Sequence, residues 1–307
     1  VIAPEFWGNW PGKEHLSNDL EARLQNEVDY EAKLDLARRW CKEWQFRIGV
    51  HYLKSQISAS RAGAQYAELA EAILSIIWQE VLCEFAKKFG PEPGNGTAVI
   101  SMGSLGSGIL HANSDLDLII IYDADGNDQS EGERSLSARQ YYSRVAKAFI
   151  TAISAPMTEG RLYEIDMRLR PSGFQGPVAT SWNSFKNYQK NEAWIWEHLA
   201  LTRARAVAGT GTLLNDFESF RSSLLKSYDR ENIFNELVNM RSRIAQAKIS
   251  NALDVKIGPG RLQDIDLLSQ AGCLVTRSIS RSTNAGLKAL FGGKFLTHNE
   301  FLELKRQ

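Results

Sequence analysis

The sequence predicts an α+β protein in which a small strand-bearing unit lies between two helical regions. Three observations carry that expectation. Apolar residues recur at helical spacing before residue 90. Two short apolar runs, TAVISMG (97–103) and LDLIIIYD (116–123), then read as buried strands. Helical periodicity returns from about residue 181.

In the first region Leu36, Trp40 and Trp44 repeat at four. Leu69, Ile73, Ile76, Ile77, Val81 and Phe85 fall on one face of a helix. GPEPGNG (90–96) is a breaker cluster and a boundary. After the second strand run, DADGNDQSEGE (123–133) is a polar loop, followed by a helix over roughly 134–154. LYEIDMRLRPSG (162–173) alternates apolar and polar, so it reads as a half-buried strand ended by Pro171 and Gly173. Farther on, Ile233, Leu237, Met240, Ile244 and Ala247 form one stripe. GPG at 258–260 interrupts, and RLQDIDLLSQ opens another helix. The expected organisation is a helical region over 1–94, a central core over 95–210 and a helical domain over 211–307. The start at Val1 and the stop inside FLELKRQ suggest a piece of a longer soluble protein.

Composition narrows the function classes. The 36 basic and 36 acidic residues balance, which argues against a broad nucleic-acid surface and against a template-dependent polymerase. Cys41, Cys83 and Cys273 are few, odd in number and far apart, as in a reducing cytoplasm. No apolar run approaches the roughly 20 residues that cross a bilayer, so no membrane partner is expected.

The chemistry concentrates around SMGSLGSGILHANSDLDLIIIYD (101–123). Side chains alternate along a strand, so Asp115 and Asp117 share one face and Leu116 and Leu118 the other. The same arithmetic puts Glu164, Asp166, Arg168 and Arg170 on one face of the 162–173 run. If the two strands are neighbours, Asp166 meets the first pair. Carboxylates about 4 Å apart repel by roughly 4 kcal/mol per pair at an effective dielectric near 20. A divalent cation compensates that repulsion and joins carboxylates to substrate phosphates. Upstream, Gly103 and Gly106 allow a tight turn and close approach of backbone N–H groups to a phosphate, Ser104 adds a hydroxyl, and Arg168 and Arg170 supply positive charge. GSLGSG has neither the dinucleotide nor the P-loop spacing. His111 reads as a solvated loop histidine and His198 as a packed one.

The order of glycine turn, acid-x-acid strand, helix and one-acid strand resembles the nucleotidyltransferase superfamily with a DNA-polymerase-β-like catalytic core. The segments LYEIDMRLRPSGFQGPVATSWNSFKNYQKNEAWIWEHLALTRARAVAG (162–209) and DVKIGPGRLQDIDLLSQ (254–270) are similar to the glutamine synthetase adenylyltransferase family. The resemblance implies a small mixed-sheet core flanked by N-terminal helices and a C-terminal helical bundle. It implies Asp115, Asp117 and Asp166 as the catalytic, metal-holding acids, with Mg²⁺ or Mn²⁺. It implies ATP as substrate, held by Gly103, Ser104, Arg168 and Arg170, and glutamine synthetase as the protein substrate, modified on a tyrosine. Asp166 would also accept or orient that tyrosine's proton. The PII signal protein is the implied regulator of the full-length enzyme. SDLDL, RLRPSG and YQKNEAWIWEH favour the adenylylating, C-terminal half of a two-activity enzyme. The AMP-removing half and a non-catalytic nucleotide-binding module are the alternatives. Ser104 departs from the family's common Gly-Lys-Leu-Gly, and Arg261, Gln263 and Asp266 depart in the later motif, which leaves a nucleotide contact from 258–266 unsupported.

Overall fold

The computed structural model describes residues 4–126, 129–227, 230–247 and 253–306. Compactness divides the chain into two units, Val1–Phe185 with Arg205–Asp216, and Lys186–Ala204 with Phe217–Gln307.

The first unit begins with three helices, α1 (Lys13–Gln25), α2 (Tyr30–Leu53) and α3 (Ala59–Phe89). Asp29 and Ser58 start α2 and α3 by accepting from the backbone N–H groups of Ala32 and Arg61. Gly90, at φ 81°, ends α3. The apolar stripe read from the sequence is the buried face of α3, with Leu69, Ile73 and Ile77 fully buried.

The sheet follows. Strand β1 (Gly96–Ser101) is buried throughout, and a one-turn helix, α4 (Gly103–Ser107), leads to β2 (Leu116–Asp123). Helix α5 (Ala138–Ser154), capped by Ser137, precedes β3 (Ile165–Asp166) and β4 (Ala179–Ser181). Helices α6 (Trp182–Asn191) and α7 (Ile195–Leu201) come before β5 (Arg205–Gly209). Strands run in the order β3-β2-β1-β5, with β4 also paired to β2. The β1–β2 and β1–β5 pairs are antiparallel, whereas β3 and β4 lie parallel to β2 at successive positions along it. The sheet is therefore mixed.

One face of the sheet packs on α3 and α5. Leu116, Leu118, Ile120 and Tyr122 of β2 join the helical core, which leaves the odd-numbered side chains of that strand on the other face. Trp78 is fully buried, donates its indole N–H to Thr97 Oγ1 at 3.1 Å and meets Phe149 edge-on at 4.9 Å. Tyr141 donates to the Gly90 carbonyl at 3.0 Å, and Tyr142 donates to that of Pro93. These contacts tie α5 to the GPEPGNG turn.

The second unit contains α7, α9 (Arg230–Ala247), α10 (Leu262–Val275), α11 (Thr283–Gly292) and α12 (His298–Arg306). Helix α8 (Leu213–Leu225) starts in the first unit and ends in the second. Leu199, Leu274, Val275 and Leu290 form its core. Arg203 bridges to Asp266 (Nη1–Oδ2 3.2 Å) and Thr283 (2.9 Å).

Two sequence expectations are corrected. The strand expected over 162–173 is only Ile165–Asp166, because the chain turns at Asp166 and bends again through Ser172 and Gly173, both at positive φ. The stretch expected to be helical from 181 contains β5, whose partner β1 lies more than a hundred residues away. Of the stripe on α9, Ile233 is buried and Leu237 and Met240 are half-buried; the side chains of Ile244 and Ala247 lie outside the described residues, as do Asn127 and Asp128 of the 123–133 loop.

Candidate active site

The parallel β2–β3 register pairs Leu116 with Ile165 and Asp117 with Asp166. Partners in neighbouring strands point to the same face, so Asp117 and Asp166 stand side by side. Asp115 immediately precedes the strand, and its charge acts on Arg168 beside Asp166. Asp117 and Asp166 come from two strands, and the face they occupy is opposite the α3–α5 core.

The glycine turn is fastened beside them. The Met102 N–H donates to the Asp117 carbonyl at 2.8 Å, and the Gly106 N–H donates to the Met102 carbonyl at 2.8 Å. Gly103 has φ 52°, and a Cβ there would overlap the Asp117 carboxylate. Glycine is required on both counts. Ser104 is exposed at the first turn of α4, whose opening N–H groups have no partner within the helix. Leu105 shows how the turn is held from behind: its carbonyl accepts from Arg205 Nη2 at 3.0 Å, and the same guanidinium pairs with Glu71 of α3. Glu71, 4 % exposed, also pairs with Lys13 at 3.0 Å. Sequence reasoning missed Glu71 and Arg205. Glu71 is one of four glutamates on α3, so its residue type gives no signal, and its partner lies 134 residues away.

The two arginines differ. After Asp166 the chain makes an Asx-type turn in which the Arg168 N–H donates to Asp166 Oδ1 at 2.8 Å and Arg168 Nε donates to Oδ2 at 2.6 Å. The hydrogen bond to Asp166, then the charge of Asp166 and the weaker fields of Asp117 and Asp115, raise the pKa of Arg168. Burial pushes the Asp166 carboxyl up, but the hydrogen bonds and charge of Arg168 prevail and hold it below the usual carboxylate range. Arg170 does not join this group. Its Nε, Nη1 and Nη2 donate to the carbonyls of Gly176 (3.2 Å), Met167 (2.8 Å) and Phe174 (3.1 Å), so it braces the turn. Glu164, expected on the same face, pairs with Arg161 instead. The expectation that Arg168 and Arg170 lie in line on a strand fails because the strand ends at Asp166.

Among the described residues no group of three or more His, Cys, Asp or Glu side chains is placed to hold a metal ion as it stands. The carboxylates nonetheless fit a cation on two observations. A guanidinium already sits on Asp166 within the field of Asp117 and Asp115, as a stand-in positive charge. Gly103 also keeps the space against the Asp117 carboxylate free of a side chain. In the later motif, Asp266 is held by Arg203 and Thr283, and Asp264 accepts from Arg241 at 2.9 Å. Among the described residues no helix is long and apolar enough to cross a membrane.

A family model for glutamate–ammonia ligase adenylyltransferase matches residues 2–220. Several curated relatives carry the description bifunctional glutamine synthetase adenylyltransferase/adenylyl-removing enzyme. That of Mesorhizobium japonicum is 39% identical over 277 residues, covering 89% of this chain and 28% of the relative. That of Bradyrhizobium diazoefficiens is 41% identical over 273 residues, 88% of this chain and 27% of the relative. That of Agrobacterium fabrum is 39% identical over 278 residues, 90% and 28%. The chain thus spans less than a third of the length of the curated relatives it matches.

Proposed function

The chain belongs to the glutamate–ammonia ligase adenylyltransferase family, and from that premise we propose that it moves AMP from ATP to a tyrosine of glutamine synthetase, releasing pyrophosphate, and so regulates nitrogen assimilation in the cytoplasm. The observation that carries this reading is the Asp117–Asp166 register pair beside the glycine turn. An acid cluster facing a backbone that can approach phosphate suits phosphoryl transfer, in which charge neutralisation and positioning supply the rate.

Asp115, Asp117 and Asp166 would hold Mg²⁺ or Mn²⁺; when bound, that ion neutralises the triphosphate and makes the α-phosphate a better electrophile. Gly103 and Ser104 offer the first N–H groups of α4 and a hydroxyl to the β- and γ-phosphate oxygens. Arg168, exposed at the rim, adds a positive charge. Arg170 shapes the turn that presents Asp166 and Arg168. The target tyrosine, with a pKa of roughly 10, is neutral near pH 7. Its oxygen forms the new bond to the α-phosphorus as the bond to pyrophosphate breaks, and its proton leaves along a hydrogen bond that Asp166 accepts. The PII signal protein is proposed as a regulator of the longer enzyme.

The test is to incubate the chain with α-labelled ATP, Mg²⁺ and glutamine synthetase. Label on the target with pyrophosphate release is expected. A second reading has its own support, since the relatives' names carry an adenylyl-removing activity and the same acids could serve phosphorolysis. Release of ADP from AMP-modified glutamine synthetase with inorganic phosphate, without forward labelling, would establish that half instead. ATP binding without any turnover would leave a nucleotide-binding module.

A further inference from the structure

Resting on the reading that the three acids hold a metal, we propose that Arg168 is the resident counter-ion of the acid cluster, which a divalent cation must displace from Asp166, and that this displacement hands the guanidinium to the phosphates of the bound nucleotide.

The two arginines of the RLR run explain why. Arg170 is tied to three backbone carbonyls and cannot leave without opening the turn. The Arg168 side chain is 65% exposed, and what fixes it is the Asp166 carboxylate, itself 12% exposed. Arg168 reaches Oδ2 through both Nε and Nη2, and its backbone N–H reaches Oδ1. The backbone contact can persist when the side chain swings, so Asp166 stays oriented. The Oδ2 lone pairs cannot serve the guanidinium and a metal ion at once. Metal entry therefore expels Arg168, and metal departure brings it back. An arginine so released lies next to the ion that holds the triphosphate, where its planar fork suits phosphate oxygens. Metal and nucleotide are thereby coupled, each favouring the state in which Arg168 has left Asp166.

The test measures Mn²⁺ binding to the 307-residue chain without nucleotide, by the electron paramagnetic resonance of free Mn²⁺. Arg168→Gln should bind Mn²⁺ about threefold more tightly than the wild type, the scale of an exposed ion pair, and Arg168→Lys should stay near wild type. Mn²⁺ should tighten binding of a non-hydrolysable ATP analogue in the wild type beyond its effect in Arg168→Gln. Equal or weaker Mn²⁺ binding by Arg168→Gln overturns the proposal. Wild-type protein gives a second, variant-free measurement: the Arg168 Nε–H resonance should move when Mg²⁺ is added without nucleotide, and an unmoved signal also overturns it. Asp117→Asn separates the two levels. If it abolishes Mn²⁺ binding while Arg168→Gln changes nothing, the metal site stands and the displacement fails. If wild type and Asp117→Asn bind Mn²⁺ alike, the metal site itself fails.

Discussion

Three contacts converge on Asp117: its carbonyl takes the Met102 N–H, its strand register pairs it with Asp166, and its carboxylate lies against Gly103. Asp117→Asn keeps the shape and removes the charge, so folding should survive while AMP transfer falls on the order of a hundredfold or more. Near-normal transfer with Mg²⁺ and ATP would remove the metal assignment. Gly103→Ala tests the neighbouring turn. The alanine would be strained at φ 52° by about 1 kcal/mol, and its methyl would push the Asp117 carboxylate aside. Transfer should drop about as far as in Asp117→Asn, with a melting-temperature loss of only a few degrees; full activity would show that the carboxylate need not stay where it is. Arg170→Met should act differently from any change at Arg168. It loses three carbonyl contacts and should destabilise the chain by about 2 kcal/mol in urea unfolding. The acid pair and the glycine turn were legible from the sequence because a strand's period of two is a strong rule. The fates of Arg168 and Arg170 were not, because the rule stops where the strand does, and an Asx-type turn at Asp166 ends it.

Among the elements that cover the sheet, α3 carries Trp78, one of the largest fully buried side chains. Trp78→Ala should cost about 3–5 kcal/mol by leaving a cavity against Phe149 and removing the indole donor from the Thr97 hydroxyl. Trp78→Phe, which keeps most of the volume, should cost about 1–2 kcal/mol. Equal losses in denaturant melts would mean that the volume is unimportant and the hydrogen bond decides. The stripe on α3 and the apolar runs of β1 and β2 could be read in advance because burial demands them within one window. Strand β5 could not. RAVAG contains one β-branched residue and two alanines, so nothing local marks it as a strand. Its pairing with β1, and the bond of Arg205 to Glu71 and to the back of the glycine turn, are set by residues remote in sequence. The expected helix over 134–154 begins later, at Ala138, because Ser137 provides the cap. Polar spacing alone does not reveal which of several serines will do so.

At the scale of the whole chain, the two units carry different titrating groups in their interiors, and this gives acid a selective effect. In the second unit His198 is 2 % exposed, and burial pushes its pKa down to about 4, against a smaller opposing hydrogen bond to the backbone of Gln189. An unfolded histidine titrates near 6.5, so between that pH and about 4 the unfolded chain binds a proton that the folded chain refuses. The contribution is complete above pH 6.5 and is lost as pH falls to about 4, for a total of about 3 kcal/mol. Glu197 beside it works the other way, since burial raises its carboxyl and protonation on acidification relieves that cost. In the first unit Glu92 is likewise raised by burial, and Asp166, held low by Arg168, loses its stabilisation only under stronger acid. Mild acid should therefore open the second unit while the sheet of the first persists. Hydrogen exchange at pH 5 against pH 7.5 should find amides of α10 and α11 faster relative to those of β1 and β2. His198→Gln removes the titrating ring, and the difference between its stability–pH curve and that of the wild type should be confined to the window from about 4 to 6.5. A wild-type acid limb unchanged by that substitution would mean that His198 is protonated in the folded chain, and that the acid sensitivity of the second unit comes from elsewhere.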